Sequence, residues 1–197
     1  MQASPFRHAF VYHMHMSQTT GLDIRIVQAN RELASYVDGL RSSFVVKARI
    51  KVSMCGDGYD FDVDSVEHPY EKSEAGRSNR SYLDRDDAAI YLAFLGDQLV
   101  GQVCVQEDHN NMARVWGLRV EHGHLHHGIA TSLMERVREW ALARGLHWLR
   151  AETQDVHVTA CMFFRDYGFV IGGFDHLYLQ ATPGSEDEVA IAWYLRI

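Results

Sequence analysis

The sequence predicts an α/β protein whose core is a mixed, mostly antiparallel sheet flanked by helices. Near the middle of the chain, a buried strand over residues 115–120 leads through a loop into an amphipathic helix that begins at Gly128. Alternating segments joined by Gly, Asn and Asp turns precede this unit and predict antiparallel hairpins. A second strand-helix pair and two strands follow it, so one sheet should contain both parallel and antiparallel neighbours.

The individual elements are predicted from apolar periodicity and turn residues. Residues 1–20 show no clean period and are expected to form an N-terminal extension, so the domain would span residues 21–197. Asn30 is expected to cap the first helix. The predicted elements are, in order, a strand at 22–28, a helix at 30–40, strands at 44–54, 59–63, 88–95, 98–106 and 115–120, a helix from 128, a strand at 148–153, a helix at 157–166, and strands at 169–179 and 189–195.

The central helix is predicted from apolar residues that recur at steps of three and four. They are Ile129, Leu133, Met134, Val137, Trp140 and Ala141. Gly145 supplies the stop signal. The unpaired amides of the first turn and the helix dipole favour an anion such as a pyrophosphate, and Gly128 would let that ligand approach the backbone. Gly128 can equally serve only as a tight start to an ordinary amphipathic helix.

Five carboxylates lie between Asp57 and Glu67, with no Lys or Arg among them. They are Asp57, Asp60, Asp62, Asp64 and Glu67. Two interpretations remain open. The charges can protect a solvated edge strand from pairing with other chains. Alternatively, they create a field that concentrates polyamine-like cations near a binding site.

Composition limits the class of protein. With 197 residues and 47% apolar content, the chain is large enough for one globular domain. A formal charge of -7 and the lack of a long apolar run argue against nucleic acid and membranes as partners. No secretory apolar block is present at the start, and three scattered cysteines fit reduced thiols, so we expect a cytoplasmic protein. The oligomeric state stays open, with a homodimer among the alternatives.

Several segments of the C-terminal half carry recognisable motifs. They are Ala151-Glu152-Thr153-Gln154-Asp155, Ala160-Cys161-Met162-Phe163-Phe164, Gly168-Phe169, Phe174-Asp175 and residues 188–194. Together they resemble the GNAT superfamily of N-acetyltransferases, and within it most of all the streptothricin acetyltransferases. The resemblance implies a sheet that splays between its central strand and the next one, with acetyl coenzyme A in the gap. It also implies acetyl transfer to the primary amine of a small cationic substrate, for example a streptothricin-type antibiotic.

The resemblance further implies where the coenzyme binds. Main-chain groups at the end of the central strand would line the pantetheine arm, and the loop before the central helix would hold the pyrophosphate. The candidates are Leu118, Arg119, Val120, Leu125, His126, His127, Gly128, Ile129, Ala130 and Thr131. Family members usually carry Arg or Gln where this chain has Leu125, and glycine where it has His126. We expect weakened coenzyme binding, with imidazolium at His126 or His127 as an aid that fades as pH rises.

The chemistry needs a neutral amine near the thioester, a donor for the carbonyl oxygen and a proton for the departing thiolate. Glu152 is the candidate base, although it can also be a structural carboxylate. Phe164 stands where the family has its proton-donating tyrosine, so Tyr167 is the candidate replacement. His157 is a third catalytic candidate, as a coenzyme-orienting or proton-relay group, against the alternative of an ordinary residue at a helix start.

The acceptor site is predicted less sharply. Trp116-Gly117 replaces an acidic pair that is common in the family. Candidates for contacting the amine are Glu67, Tyr70, Trp116, Asp155 and Asp175. The histidine run at 122–127 also invites a metal-site interpretation, but no rule fixes its geometry and no metal is expected. Two other functions remain open: a catalytically impaired protein that binds acyl coenzyme A or a partner, and a protein or peptide N-acetyltransferase.

Overall fold

A computed structural model describes residues 23–40, 43–73 and 78–197. The extension expected at residues 1–20 lies outside these ranges. The strands are β1 (Ile24–Gln28), β2 (Ser43–Cys55), β3 (Gly58–Ser73), β4 (Ala88–Leu95), β5 (Gln98–Asp108), β6 (Met112–Val120), β7 (Trp148–Gln154), β8 (Val170–Asp175) and β9 (Ala190–Arg196), and the helices are α1 (Ile129–Ala143) and α2 (Val158–Tyr167). Within the described ranges, no helix is long and apolar enough to cross a membrane.

Seven strands form the main sheet in the order β1-β4-β5-β6-β7-β9-β8. Every neighbouring pair is antiparallel except β6 with β7, which run parallel because α1 connects them. The predicted mixed, mostly antiparallel sheet with flanking helices is confirmed.

The two central strands stay together over a short distance only. Three residues of β6 pair with three of β7, from Ala113 with Leu149 to Val115 with Ala151. Beyond Val115, β6 continues to Val120, and beyond Ala151, β7 continues to Gln154, without pairing to each other. The sheet therefore splays as expected, and a gap opens between the C-terminal ends of β6 and β7.

Both faces of the sheet are covered. All six apolar residues predicted for the α1 stripe are buried, and they share one core with α2, which contributes Cys161 and Phe164. On the other face, a smaller core forms beneath the segments around residues 29–40 and 79–83. The helix predicted at 30–40 is only a 3-10 turn over Arg31–Leu33, followed by further turns. The Asn30 cap is confirmed, since its side chain accepts the Glu32 and Leu33 amides at 3.0 and 3.2 Å.

The β2–β3 hairpin forms a separate two-stranded sheet, which sequence periodicity did not reveal. Its second arm runs to Ser73, well past the expected end at residue 63. The acidic segment faces basic partners across the strands, since Lys51 pairs with Asp62 in register and its Nζ lies 2.9 Å from Asp64 Oδ2. These contacts favour the first interpretation, in which the charges protect a solvated edge strand, over a field that attracts cationic ligands.

The hairpin is fastened to the body of the protein by buried charges. The Lys72 ammonium donates to the Glu188 carboxylate at 2.5 Å, to the Ser185 hydroxyl at 3.0 Å and to the Gly184 carbonyl at 3.1 Å. The strand predicted at 169–179 ends early, at Asp175. Asp175 Oδ1 accepts the amides of residues 177 and 178, and this turns the chain into the irregular stretch that meets Lys72.

Candidate functional site

The gap is bordered on one side by a bulge in β6. The register steps from Gln102–Arg119 to Cys104–Trp116, so Gly117 and Leu118 together face the single residue Val103 of β5. Gly117 has φ of +61°, the left-handed conformation that glycine adopts in this type of bulge. Because β7 has already diverged, the peptide groups of β6 that face the gap after Val115 have no strand partner there.

A hydrogen-bond network lies behind this bulge. The Asp38 carboxylate accepts the Asn79 amide at 2.7 Å, Asn79 Nδ2 at 2.6 Å and the Ser78 hydroxyl at 3.0 Å. Gln102, which is fully buried, accepts the Asp38 amide at 2.8 Å and donates back to its carboxylate at 3.3 Å. Asn79 Oδ1 in turn accepts the Trp116 indole N–H at 2.7 Å. Four distant chain segments are thus joined at one point.

The carboxylate of Asp38 is held in its charged form by this network. Burial alone would raise its pKa, but the hydrogen bonds from Asn79, Gln102 and Ser78 outweigh burial and lower the pKa below the ordinary value. This network was not predicted from the sequence. Gln102 is the one residue that could have indicated it, because its amide lies inside the apolar run of β5.

Glu152 borders the gap on the β7 side. It directly follows Ala151, the last residue that pairs with β6, just as Trp116 directly follows Val115. Its carboxylate lies 3.3 Å from the Arg150 guanidinium, and its side chain is 25% exposed. The Trp116 ring packs edge-on against Tyr82, with 4.8 Å between ring centroids. The Glu152 carboxylate and the Trp116 indole therefore belong to the first residues of the two strands after the point where the strands diverge.

The loop before α1 departs from ordinary backbone geometry at two positions. His126 and Gly128 both adopt left-handed conformations, with φ of +62° and +74°. Both are exposed, and a Cβ atom at Gly128 would meet no other atom of the described residues within 4 Å. A ligand could therefore approach this backbone closely, at the positive end of the α1 dipole.

Among the described residues, the histidines of this loop belong to no cluster of metal-ligating side chains. Within the described ranges, no group of three or more His, Cys, Asp or Glu residues could hold a metal ion. His127 Nδ1 lies 2.8 Å from the Leu125 carbonyl, and the ring thus braces the loop.

The side chains on α2 have structural contacts. His157 caps the helix, since its Nδ1 accepts the Ala160 amide at 3.1 Å, and its ring packs 4.0 Å from that of Phe44. Phe164 is 5% exposed and packs against the Phe169 and Trp193 rings.

The Tyr167 hydroxyl forms a hydrogen bond between the two helices. Its hydroxyl donates to Glu135 of α1 at 2.7 Å, and burial together with this carboxylate raises its pKa above the ordinary value. At a helical rise of about 1.5 Å per residue, Tyr167 lies about 15 Å along α2 from the His157 end, where β7 leads into the helix. These observations favour a link between two helices over a proton donor at the gap.

The remaining acceptor candidates are dispersed. Glu67 and Tyr70 lie exposed on β3, and the Asp175 carboxylate forms the turn that ends β8. Asp155 is 5% exposed, accepts the Val189 amide at 2.9 Å and lies 3.1 Å from Arg49 Nε. Its pKa is raised, chiefly by burial. These contacts give the Asp155 carboxylate a structural role between the β2–β3 hairpin and the start of β9, and its contact with substrate stays a prediction.

The chain is similar in sequence to known acetyltransferases. Residues 58–169 match the model of the acetyltransferase (GNAT) family. The chain is 32% identical to streptothricin acetyltransferase of Escherichia coli over 151 residues, which cover 77% of this chain and 84% of that protein. It is 27% identical to streptothricin acetyltransferase A of Bacillus subtilis (strain 168) over 154 residues, covering 78% of this chain and 88% of that protein.

A solved structure agrees with these relatives. A Bacillus anthracis (strain Ames) protein assigned as a streptothricin acetyltransferase, in complex with acetyl coenzyme A, superposes with a TM-score of 0.82 and 30% identity. The alignment covers 88% of this chain and 99% of that one. The unpaired peptide groups of β6 and the open backbone at Gly128 are suited to such a thioester and its pyrophosphate. The chain therefore belongs to the GNAT family of acetyltransferases and uses acetyl coenzyme A as its acetyl donor.

Proposed function

We propose that this enzyme acetylates a primary amine of a small cationic substrate, and that a streptothricin-type antibiotic is the first acceptor to test. One observation carries the proposal: the likeness to streptothricin acetyltransferases extends over nearly the whole of the relatives, 84% of the E. coli protein and 99% of the B. anthracis chain. A likeness of that extent includes both walls of the gap as well as the coenzyme half of the fold.

The coenzyme is proposed to lie along β6. The main chain of residues 118–120 lines the pantetheine arm, and residues 125–131 hold the pyrophosphate at the start of α1. Support comes from the gap-facing peptide groups that β7 leaves unpaired and from the open space at Gly128. The bulged segment presents the Leu118 amide as a donor for the thioester oxygen, where charge develops as the amine attacks.

Glu152 is proposed to accept the proton of the attacking amine, directly or through water. Arg150 orients this carboxylate at 3.3 Å. The departing thiolate has no dedicated acid in this proposal, because Phe164 has no proton to give and Tyr167 is engaged by Glu135. An ordinary thiol has a pKa near 8.5, so a thiolate can leave without concerted protonation at some cost in rate.

The acceptor is proposed to approach between Trp116 and Glu152. An ammonium group is attracted both to the face of an indole and to a carboxylate. The net charge of -7 adds a general attraction for cations. The acidic strand β3 contributes less, since Lys51 already pairs with Asp64.

The test measures release of free coenzyme A thiol from acetyl coenzyme A in the presence of streptothricin. The same antibiotic with its amines already acetylated serves as the matched control. Amine-dependent release, with one acetyl group added to the antibiotic in mass spectrometry, supports the proposal. Release of coenzyme A thiol with a peptide amine but not with streptothricin would contradict the proposal and indicate peptide acetylation instead.

A second candidate is a catalytically impaired protein that binds acyl coenzyme A. The burial of Phe164 and the Tyr167–Glu135 hydrogen bond favour it, because neither side chain supplies a proton at the gap. Titration calorimetry that shows acetyl coenzyme A binding, together with no turnover over a broad panel of amines, would establish it.

A further inference from the structure

The network behind the bulge contains two amide side chains that are shielded from water. Gln102 is 0% exposed and Asn79 is 6% exposed. Buried amides are costly unless their donors and acceptors are paired. Asp38 also holds a left-handed backbone, with φ of +65°, which costs about 1 kcal/mol or more outside glycine. A site that only needed stability would be served better by apolar residues.

Asn79 occupies the centre of the network. Its backbone amide and side-chain Nδ2 both bind Asp38, at 2.7 and 2.6 Å, so the orientation of its side-chain amide is fixed. The remaining atom, Oδ1, then points at the Trp116 indole N–H, 2.7 Å away. Asn79 therefore links the Asp38 turn to the first gap residue of β6.

The same side chain lies beneath the bulge itself. A Cβ atom at Gly117 would lie 3.8 Å from Asn79 Nδ2, 3.9 Å from Gln102 Nε2 and 3.5 Å from Cys104 Sγ. The side chains of Asn79, Gln102 and Cys104 thus pack directly beneath Gly117. A shift of these side chains would therefore change the backbone conformation of Gly117 and Leu118, the two bulge residues of β6.

We propose that Asn79 is a positioning residue for acetyl transfer. Asp38, which is itself hydrogen-bonded to Gln102, holds Asn79 in place, and Asn79 sets the shape of the Trp116-Gly117-Leu118 bulge. In doing so it fixes the Leu118 amide against the thioester oxygen and the indole of Trp116 against the acceptor. This inference rests on the proposed function for the placement of the thioester. Asn79 touches neither substrate, so its effect passes entirely through β6.

A positioning role predicts a particular kinetic pattern. A small displacement of an oxyanion donor costs transition-state stabilisation and leaves ground-state binding nearly intact. Asn79→Ala should lower kcat by about ten- to a hundredfold, while KM for acetyl coenzyme A changes by less than about threefold. Trp116→Phe removes only the indole donor of the same link and keeps an aromatic ring on Tyr82.

The experiment compares Asn79→Ala, Trp116→Phe and the double variant with the full-length protein. Because the two substitutions break one link, the double variant should lose no more than about the worse single one. Asn30→Ala is the matched control, since it removes a side-chain cap whose hydrogen bonds are to the Glu32 and Leu33 amides of the turn over Arg31–Leu33. It should lower thermal stability and leave kcat within about twofold. Unchanged kcat in Asn79→Ala, or fully additive losses, would overturn the inference.

A measurement without turnover separates this inference from the proposed function. In isotope-labelled protein, the amide signals of Gly117 and Leu118 are followed by NMR during titration with acetyl coenzyme A. Asn79→Ala should shift both signals and alter their response to the coenzyme, whereas Asn30→Ala should not. If the wild-type protein acetylates no amine, the proposed function fails, and the NMR comparison still decides the inference. Signals that are identical in Asn79→Ala and wild type would overturn it.

Discussion

Glu152 and Trp116 occupy equivalent positions on the two strands that border the gap. Each is the first residue after the last β6–β7 pair, which is Val115 with Ala151. Since side chains alternate along a strand and the paired residues face the α1 core, both project to the opposite face of the sheet. A carboxylate and an aromatic ring thus flank the gap in which the amine is proposed to reach the thioester.

The first prediction concerns Glu152. Glu152→Gln keeps the size of the side chain and removes its ability to accept a proton. If Glu152 is the base, kcat should fall by about a hundredfold while KM for acetyl coenzyme A stays the same. Steady-state assays with Glu139→Gln, an exposed α1 variant, provide the control. Equal kcat in both variants would leave Glu152 as only the structural partner of Arg150.

The second prediction concerns the position where the family has its tyrosine. Phe164 is packed between the Phe169 and Trp193 rings, at centroid distances of 5.0 and 6.3 Å. A hydroxyl added to this core without a partner should cost about 1–3 kcal/mol of unfolding free energy. Phe164→Tyr should therefore lower the melting temperature and leave kcat unchanged. A clear rise in kcat would show that the ring edge reaches the thioester and that this position is the acid site.

The third prediction concerns the loop before α1. His126 holds a φ of +62°, which costs a non-glycine residue about 1 kcal/mol. His126→Gly should remove this strain and stabilise the fold, as measured by thermal unfolding. Calorimetric titration with acetyl coenzyme A tests whether the imidazole also contacts the coenzyme. If the ring contacts the pyrophosphate, His126→Gly should bind acetyl coenzyme A more weakly than the wild-type protein. Equal affinity in both proteins would remove the His126 side chain from the coenzyme site.

The parts of the fold that the sequence predicted are those fixed by local chemistry. The α1 stripe, the glycine stop at 145 and the Asn30 cap depend on residues within a few positions of each other. The hairpin between β2 and β3 was predicted from the turn at residues 56–58, but its separation from the main sheet was not, because alternation does not reveal which further strands a hairpin joins. The early end of β8 depends on the Asp175 side chain, which an apolar pattern does not reveal.

The candidate site shows the same division. The gap between β6 and β7 was predicted from a resemblance carried by contiguous motifs, and the same motifs led to the proposal that the loop before α1 holds the coenzyme. The network at Asn79 could not be predicted, because Gln102 and Asp38 are 64 residues apart and Trp116 is 37 residues from Asn79. Similarly, Asp155 lies inside a family-like motif, and only its contacts with Arg49 and Val189 revealed an anchoring role.

The fourth prediction concerns the three cysteines. Cys55 is exposed at the tip of the hairpin, whereas Cys104 and Cys161 are buried. Burial raises the pKa of Cys104 to about 12 and that of Cys161 to about 11, so both remain protonated and unreactive at neutral pH. A thiol reagent should therefore modify one cysteine rapidly in the native protein and three in denaturant. Cys55→Ser should abolish the rapid phase, and its persistence would mean that a buried thiol is transiently exposed.

The last prediction concerns the attachment of the β2–β3 hairpin. Lys72 and Glu188 are 9% and 5% exposed, and Glu188 Oε2 has no hydrogen-bond partner among the described residues. Lys72→Met leaves that carboxylate buried without its cation, so the free energy of unfolding in urea should fall by about 3–5 kcal/mol.

The companion double variant isolates the cause of this loss. Lys72→Met combined with Glu188→Leu removes both charges and should recover most of the stability, because an apolar pair of similar volume needs no desolvated ions. Lys51→Met breaks the exposed pair with Asp64 on the same hairpin and should leave the free energy of unfolding nearly unchanged, because solvent screens this pair. If the double variant is as unstable as Lys72→Met, the hydrogen bonds of Lys72 to Gly184 and Ser185 hold the hairpin, and the ion pair does not.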